Sequence, residues 1–319
     1  MNTSHNAFSR VVESVRHGLV SGVGTIWFLV RIMVPVSLAV SILRWSGALT
    51  WGAAFLEPVM RLLGLPGEAS LVLASSMLLN VYSAIAVIET LSLTMREITI
   101  LAIMSLVAHN LIVETAVMKK SGSSALKMVV IRIGWAFAAG FAFNLLLPQA
   151  DAGTRTAVLV ETARQSFSDM MMVWGLSTLR LVLKVVVLVL TIMVAQRLME
   201  EFHVMDFLSG LTAPVMKIFG LPDSASFLWI VVNVVGYAYG AAVIVERVRN
   251  GKMTPQEADL FNHHAAVSHS MLEDTALYLA IGAPLFWVTV PRLLMALVIV
   301  WFERFRRVWF RRSFRAGSM

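Results

Sequence analysis

Four stretches of this chain, residues 19–43, 126–147, 178–199 and 283–302, run almost without charge. Each reaches the roughly 20 residues that an α-helix needs to cross a bilayer. A single such run could be a signal peptide, but several cannot. Backbone polar groups in lipid must be paired within the structure, so only helices or a closed barrel can span. Barrel strands alternate apolar and polar residues, and these runs do not. The fold class is therefore an all-α integral membrane protein with several spans. Composition agrees: 58% of residues are hydrophobic and 14% charged, against about 25% charge in a soluble domain. The net charge of +7 reads as cytoplasmic loop charge, with the lipid bilayer as partner and no nucleic acid. The chain has no cysteine, which excludes disulfides, thiolate metal sites and cysteine nucleophiles.

The chain also repeats itself. Pro58-Val-Met-Arg-Leu-Leu-Gly-Leu-Pro66 matches Pro214-Val-Met-Lys-Ile-Phe-Gly-Leu-Pro222, an offset of 156, and Ala69-Ser70 then matches Ala225-Ser226. After an insertion near Arg249–Lys252 the offset becomes 160, where Glu97 meets Glu257 and His109 meets His269. The stretch His109-Asn-Leu-Ile-Val-Glu-Thr115 meets His269-Ser-Met-Leu-Glu-Asp-Thr275. One match could be chance; several in order mark a duplication. About five hydrophobic segments fall in each half: roughly 19–45, 47–65, 69–93, 97–118 and 125–147, then 178–200, 204–221, 225–247, 255–280 and 283–303. An odd number per half predicts two inverted-topology repeats. Lysine and arginine cluster at the N-terminus, at Lys119, Lys120 and Lys127, at Arg247–Lys252 and at Arg304–Arg315, which predicts cytoplasmic N- and C-termini. The segments with mid-length Pro58 and Pro214 either span or re-enter.

These readings divide the chain into an amphipathic N-terminal segment 1–18, a first repeat 19–148, a linker 149–177, a second repeat 178–303 and a basic-aromatic tail 304–319. Phe8, Val11, Val12, Val15 and Leu19 share one helical face, so 1–18 is either an interfacial helix or an extension of the first span. The tail reads as an anchor on anionic lipid.

Ionisable groups inside spans are costly and usually face protein or a water-filled cavity, so they are the functional candidates. In the third segments, Asn80, Tyr82, Asn233, Tyr237 and Tyr239 mark places where a helix could unwind and offer backbone groups to a ligand. Close helix packing through Gly and Ser is the alternative. Tyr237 and Tyr239 point to opposite faces, so at most one faces a given ligand. In the fourth segments, Asn110 and Glu114, Ser270 and Asp274, and His269 and Glu273 are spaced i, i+4, which in a continuous helix puts each pair on one face. His109 matches His269, Glu114 matches Asp274, and Thr115 matches Thr275. Inverted halves would bring these clusters together. Carboxylates there, with Glu89 and Glu246, could couple sodium or a proton, and a histidine beside a carboxylate titrates near neutral pH. His263, His264 and His269 form a candidate metal set. A buried hydrogen-bond network locking the halves is the plainer reading. Arg31 and Arg132 could pair with an acid or neutralise an anionic substrate, although Arg132 is better placed to snorkel to the membrane edge. No GxSxG, Walker A or GxGxxG–helix pattern occurs, which argues against an enzyme and against ATP as energy source.

The duplicated Pro-x-Met…Gly-Leu-Pro block, the polar third segment and the His-x-x-x-x-acid-Thr block resemble the gate domain, or nucleoside recognition domain. It occurs in spore maturation membrane proteins, in the membrane part of bacterial ferrous-iron transporters and, distantly, in concentrative nucleoside transporters. The resemblance covers roughly 45–147 and 200–303. It implies a transport or channel scaffold and points to Asn80, Glu89, His109, Glu114 and Thr115, with Asn233, Glu246, His269, Asp274 and Thr275. The expected protein is a multi-pass transporter in a bacterial-type cytoplasmic membrane. Its substrate would be a small polar solute, nucleoside-like or an organic anion, and its site would lie between the two repeats. It would use no cofactor beyond sodium or proton coupling, and homo-oligomerisation stays open. A divalent-metal permease and a non-transport assembly factor for envelope biogenesis are the alternatives.

Overall fold

The computed structural model describes residues 3–148 and 166–316. Among them the chain is helix and turn, with no strand, in a series that is gone through twice. The first pass is α1 (Thr3–Trp45), α2 (Ala48–Leu62), α3 (Ser70–Leu78), α4 (Val81–Ile88), α5 (Met95–Ala108), α6 (Leu111–Lys120) and α7 (Ala125–Leu146). The second is α8 (Phe167–Glu201), α9 (Val204–Ile218), α10 (Ser226–Val234), α11 (Tyr237–Arg249), α12 (Pro255–Ala265), α13 (Glu273–Ala280) and α14 (Leu285–Ala316). A short 3-10 turn precedes α3 and another precedes α10. Of the linker expected at 149–177, residues 149–165 lie outside the described residues.

The nine-residue motif shared by the halves is a helix stop. Pro58 and Pro214 sit inside 15-residue helices, and Gly64 and Gly220 follow at φ 68° and 72°. Without a Cβ, glycine adopts this left-handed conformation freely. It lets Gly64 N–H reach the Arg61 carbonyl and Leu65 N–H reach the Met60 carbonyl, both at 3.0 Å. Gly220 and Leu221 repeat the pattern onto Lys217 and Met216 at 3.0 and 2.8 Å. Both are Schellman closures, with Leu65 and Leu221 buried and a proline next to bar further helix. The matched acids Glu97 and Glu257 are capping-box partners of Thr94 and Thr254 at the starts of α5 and α12. Each reciprocal pair satisfies two N–H groups left open at a helix start.

The fourth segments are not continuous helices. His109 is extended after α5, and Asn110 takes φ 48°; Ser270 after α12 takes φ 50°. The i, i+4 geometry expected for Asn110–Glu114, Ser270–Asp274 and His269–Glu273 therefore does not form, because each first residue lies outside the helix that carries its acid. The third segments break as well. Asn80 is extended and caps α4, and Gly236 at φ 106° precedes α11. The freed N–H of Asn110 bonds the Ser76 carbonyl at 2.8 Å, and that of Ser270 bonds the Val232 carbonyl at 2.9 Å.

The helices gather into two compact units, each drawing on both halves of the sequence. Unit 1 comprises Met1–Leu111, Ala136–Phe202 and Asp274–Val288. In it α1 and α8 lie antiparallel: Arg10 meets Glu201 at 2.5 Å, Trp174 Nε1 donates to Ser37 Oγ at 3.1 Å, and the rings of Trp45 and Phe167 are 5.2 Å apart. Gly18 makes this approach close, since a Cβ there would stand 2.7 Å from Val194 Cα. α1 is one unbroken helix from Thr3 through Gly18 to Trp45. α5 is the buried centre of the unit from Ile98 to Ala108. Unit 2 comprises Ile112–Trp135, His203–Glu273 and Thr289–Met319. Its core joins Met216, Leu228, Val232, Ile244, Phe261 and Val300.

Among the described residues, five segments are long and apolar enough to cross a membrane: Phe8–Trp45, Met95–Lys120, Ala125–Leu146, Phe167–Glu201 and Leu285–Trp309. At 1.5 Å per residue, α2 and α9 reach only about 22 Å, short of the roughly 30 Å hydrocarbon core.

Candidate functional site

In unit 2, the break between α12 and α13 holds His269 fully buried. Its Nδ1 lies 2.6 Å from the Ala265 carbonyl, and its Nε2 lies 3.2 Å from Glu114 Oε2 on α6. A carbonyl oxygen only accepts, so Nδ1 carries the hydrogen. The Nε2–carboxylate contact becomes an ion pair when the imidazole carries a second proton. Arg132 of α7 forms an ion pair with the same Glu114 oxygen, its Nη2 at 2.8 Å. Arg132 is fully buried and does not snorkel as its position near the end of an apolar run predicts; its ion partner within the core outweighs the pull of water at the edge.

Unit 1 holds the reciprocal pair. His109 Nδ1 faces the Ser105 carbonyl at 3.2 Å, and its Nε2 lies 3.4 Å from Asp274 Oδ2 on α13. A histidine of the first half thus meets the acid of the second, as His269 of the second meets the acid of the first. The same second-proton argument applies.

Around His269, Tyr237 packs its ring at a tilt, 5.5 Å between ring centres, and donates its hydroxyl to Asn262 Oδ1 at 2.7 Å. Asn262 in turn donates to Ser121 and Ser123 at 2.9 Å each. Tyr237 is 3% exposed and Tyr239 56%, so only Tyr237 joins this network. Asn233 donates to the Trp229 carbonyl at 2.8 Å, while its Oδ1 finds no donor among the described residues. The buried hydroxyls of Thr115 and Thr275 are likewise without a partner among them. Buried polar atoms of this kind are rare in folded proteins, and these lie one residue from Glu114 and Asp274. Tyr82 is buried beside Asn80, whose side chain accepts from Ser83 N–H at 2.9 Å. Glu89 lines a groove in unit 1. Glu246 is exposed on α11, and Glu273 is half-buried at the start of α13. Arg31 is exposed and lies over the Trp27 ring.

The three histidines of the candidate metal set have separate surroundings. The Nε2 of His264 accepts from Trp229 Nε1 at 2.8 Å, which occupies the lone pair a metal would use. His263 does stand with Asp259 and Glu303, their ligand atoms within 4.8 Å of one another. Those carboxylates are already matched, however. Lys127 reaches Glu303 at 3.2 Å, Arg306 and Arg307 reach it at 2.8 Å, and Arg307 also pairs with Asp259. A divalent cation would have to displace three cations.

One residue of the site, Arg292, is not among the candidates that the sequence singles out. Arg292, fully buried, donates to the Val267 and His269 carbonyls and so fixes the loop that presents His269. The offset of 160 maps Arg132 onto Arg292, so extending the repeat is the signal that finds it.

Residues 26–125 match the family model for Gate, nucleoside recognition. That stretch is similar to the Gate family. The chain is also 28% identical over 287 residues to the uncharacterized membrane protein YvoD of Bacillus subtilis (strain 168), covering 88% of this chain and 91% of that one. No solved structure matches. With its long apolar helices and its likeness to a membrane protein over most of its length, the chain is a membrane protein.

Proposed function

We propose that this protein is a proton-coupled transporter of a small polar solute, nucleoside-like or an organic anion, built as two inverted repeats with cytoplasmic termini. The observation that carries this reading is the exchange of partners between His109 and Asp274 and between His269 and Glu114. Each pair commits one ring nitrogen to a backbone carbonyl and leaves the other to share a proton with a carboxylate. Two such proton-holding pairs, at breaks in apolar segments, are what a proton-driven carrier needs at membrane depth. The antiparallel run of α1 against α8, the opening helices of the two halves, supports inversion. The orphaned Asn233, Thr115 and Thr275 atoms offer hydrogen bonds to a polar solute.

The test is reconstitution into liposomes with a pH-sensitive dye inside, challenged with nucleosides and carboxylates. Solute-dependent proton entry is expected in the native protein and its loss in Glu114→Gln and Asp274→Asn. Uptake that persists when both acids are neutralised, or that runs on a sodium gradient alone, would overturn the reading. For the metal-permease alternative, the Asp259–His263–Glu303 cluster is a poor site, because it is already neutralised by its own lysine and arginines.

A further inference from the structure

Between Asp169 and Arg197, α8 carries only two charged residues, Arg180 and Lys184. Lys184 is the middle residue of the 35-residue helix. The two are one helical turn apart and share a face. Both are exposed along a groove of unit 1 whose other walls include Glu89 and Ala280. Leu181, Val185, Val189 and Ile192 are buried, so packing does not force the two cations outward by default; the helix has a separate apolar face to bury. Neither cation has an ion pair or hydrogen bond among the described residues.

A cation at mid-span is costly in lipid and is kept where water or an opposite charge meets it. The interface lies about 15 Å from the bilayer centre, half the hydrocarbon thickness, beyond the reach of a lysine side chain. One opposite charge, Glu89, faces the groove against the two cations, and it pairs with neither. The groove also continues inward past Glu89, Ser177 and Leu181 to a pocket lined by the hydroxyls of Ser37, Ser41 and Thr178 and by Trp174. Arg44 at that end is engaged by neutral oxygens, the Thr90 carbonyl and the Ser92 hydroxyl. The whole wall therefore holds three cations against one carboxylate, beside a row of hydroxyl groups.

We propose that this groove is a binding site for a small soluble oxyanion, a carboxylate or phosphate compound, with Arg180 and Lys184 holding the anionic group and the serine and threonine hydroxyls holding the polar remainder. The proposal deepens the transport reading by naming the substrate class, but its test requires binding alone. A lipid headgroup shares this chemistry; the depth of Lys184 favours the soluble source.

The experiment uses the full chain in uncharged detergent at constant ionic strength. Thermal stability is followed against citrate, inorganic phosphate and, in mixed micelles, phosphatidylglycerol. Saturable stabilisation by citrate or phosphate is expected, with chloride inert. Replacing Arg180 and Lys184 together by glutamine should raise the half-saturating concentration about tenfold or more, the loss of at least one charge-assisted hydrogen bond. Glu89→Gln should act in the opposite direction and lower it, because it removes the groove's own competing anion. That reversal cannot arise from a misfolded variant. No response to either soluble anion, or a response that the double variant leaves unchanged, overturns the proposal. Stabilisation by phosphatidylglycerol alone overturns the soluble assignment. Either failure leaves proton coupling through His109 and His269 untouched, since that is read by proton movement in liposomes.

Discussion

The two histidine–carboxylate pairs occupy matched places in the duplicated sequence, yet they are held differently. In unit 2, His269 stands 2.6 Å from its backbone acceptor and 3.2 Å from Glu114, and Arg132 clamps the same carboxylate. In unit 1 the corresponding distances for His109 are 3.2 and 3.4 Å, and the acid is the shorter Asp274. The first is the tighter pair, and an arginine shares its carboxylate.

Breaking the tight pair should have the largest effect. Arg132→Met removes the guanidinium from a buried carboxylate, and losing one partner of a buried ion pair costs about 3–5 kcal/mol. Adding Glu114→Gln should restore most of that stability, because the uncompensated charge is then gone. Thermal denaturation in detergent checks both; a double variant as unstable as the single would assign the cost to lost packing instead. Asp274→Asn in the loose pair should cost less, about 1–3 kcal/mol for a weakened buried hydrogen bond. Equal losses at the two sites would erase the asymmetry.

Much of this arrangement is legible in the repeat itself. The matched spacing of His109 with Glu114 and of His269 with Asp274 names all four residues, and the apolar runs name the long helices. The exchange of partners is hidden because neither Asn110 nor Ser270 is glycine. A left-handed residue at a helix break is foreseen when it is glycine, as at Gly64 and Gly220, and is read as helix otherwise. The burial of Arg132 escapes the local pattern for a related reason. It depends on Glu114, 18 positions earlier, and local pattern carries no signal of a tertiary ion pair. Arg180 and Lys184 are lost inside a run whose average is apolar.

The Gly-Leu-Pro stop sharpens the comparison at lower cost. Any Cβ at φ near 70° is strained by about 1–2 kcal/mol, so alanine should destabilise both copies. At Gly64, however, the new Cβ would lie 2.1 Å from Asn144 Oδ1 and 2.8 Å from an Arg96 guanidinium nitrogen. At Gly220 the nearest atom is Arg304 Cδ at 3.1 Å. Gly64→Ala should therefore lower the melting temperature more than Gly220→Ala. It should also disturb the bonds by which Arg96 holds Asn144 and the Gly64 carbonyl, at 2.6 and 3.3 Å. Equal shifts would show that backbone strain alone sets the cost and that Asn144 moves aside freely.

The smallest expected difference lies just before the motif, where the first copy has Glu57 and the second Ala213. Glu57 accepts from Arg61 at 2.9 Å and from Gly67 N–H at 2.6 Å. The Arg61 hydrogen bond first, and the Gly67 N–H second, hold its carboxyl below the ordinary carboxylate range. A carboxyl group lowered on folding stabilises the native state above its unfolded value, and that contribution is lost as pH falls through the lowered folded value. The native chain should thus lose a small increment of stability on acidification that Glu57→Gln lacks at every pH, with the two curves converging at the acid end. The carboxylate is near the surface, so solvent screening keeps the increment small. Hydrogen exchange at Gly67 reports it locally. Faster exchange in the native protein on acidification, beyond the intrinsic change, and none in Glu57→Gln would tie the increment to this contact. Parallel behaviour in both would mean that Glu57 adds nothing to the stop that ends α2.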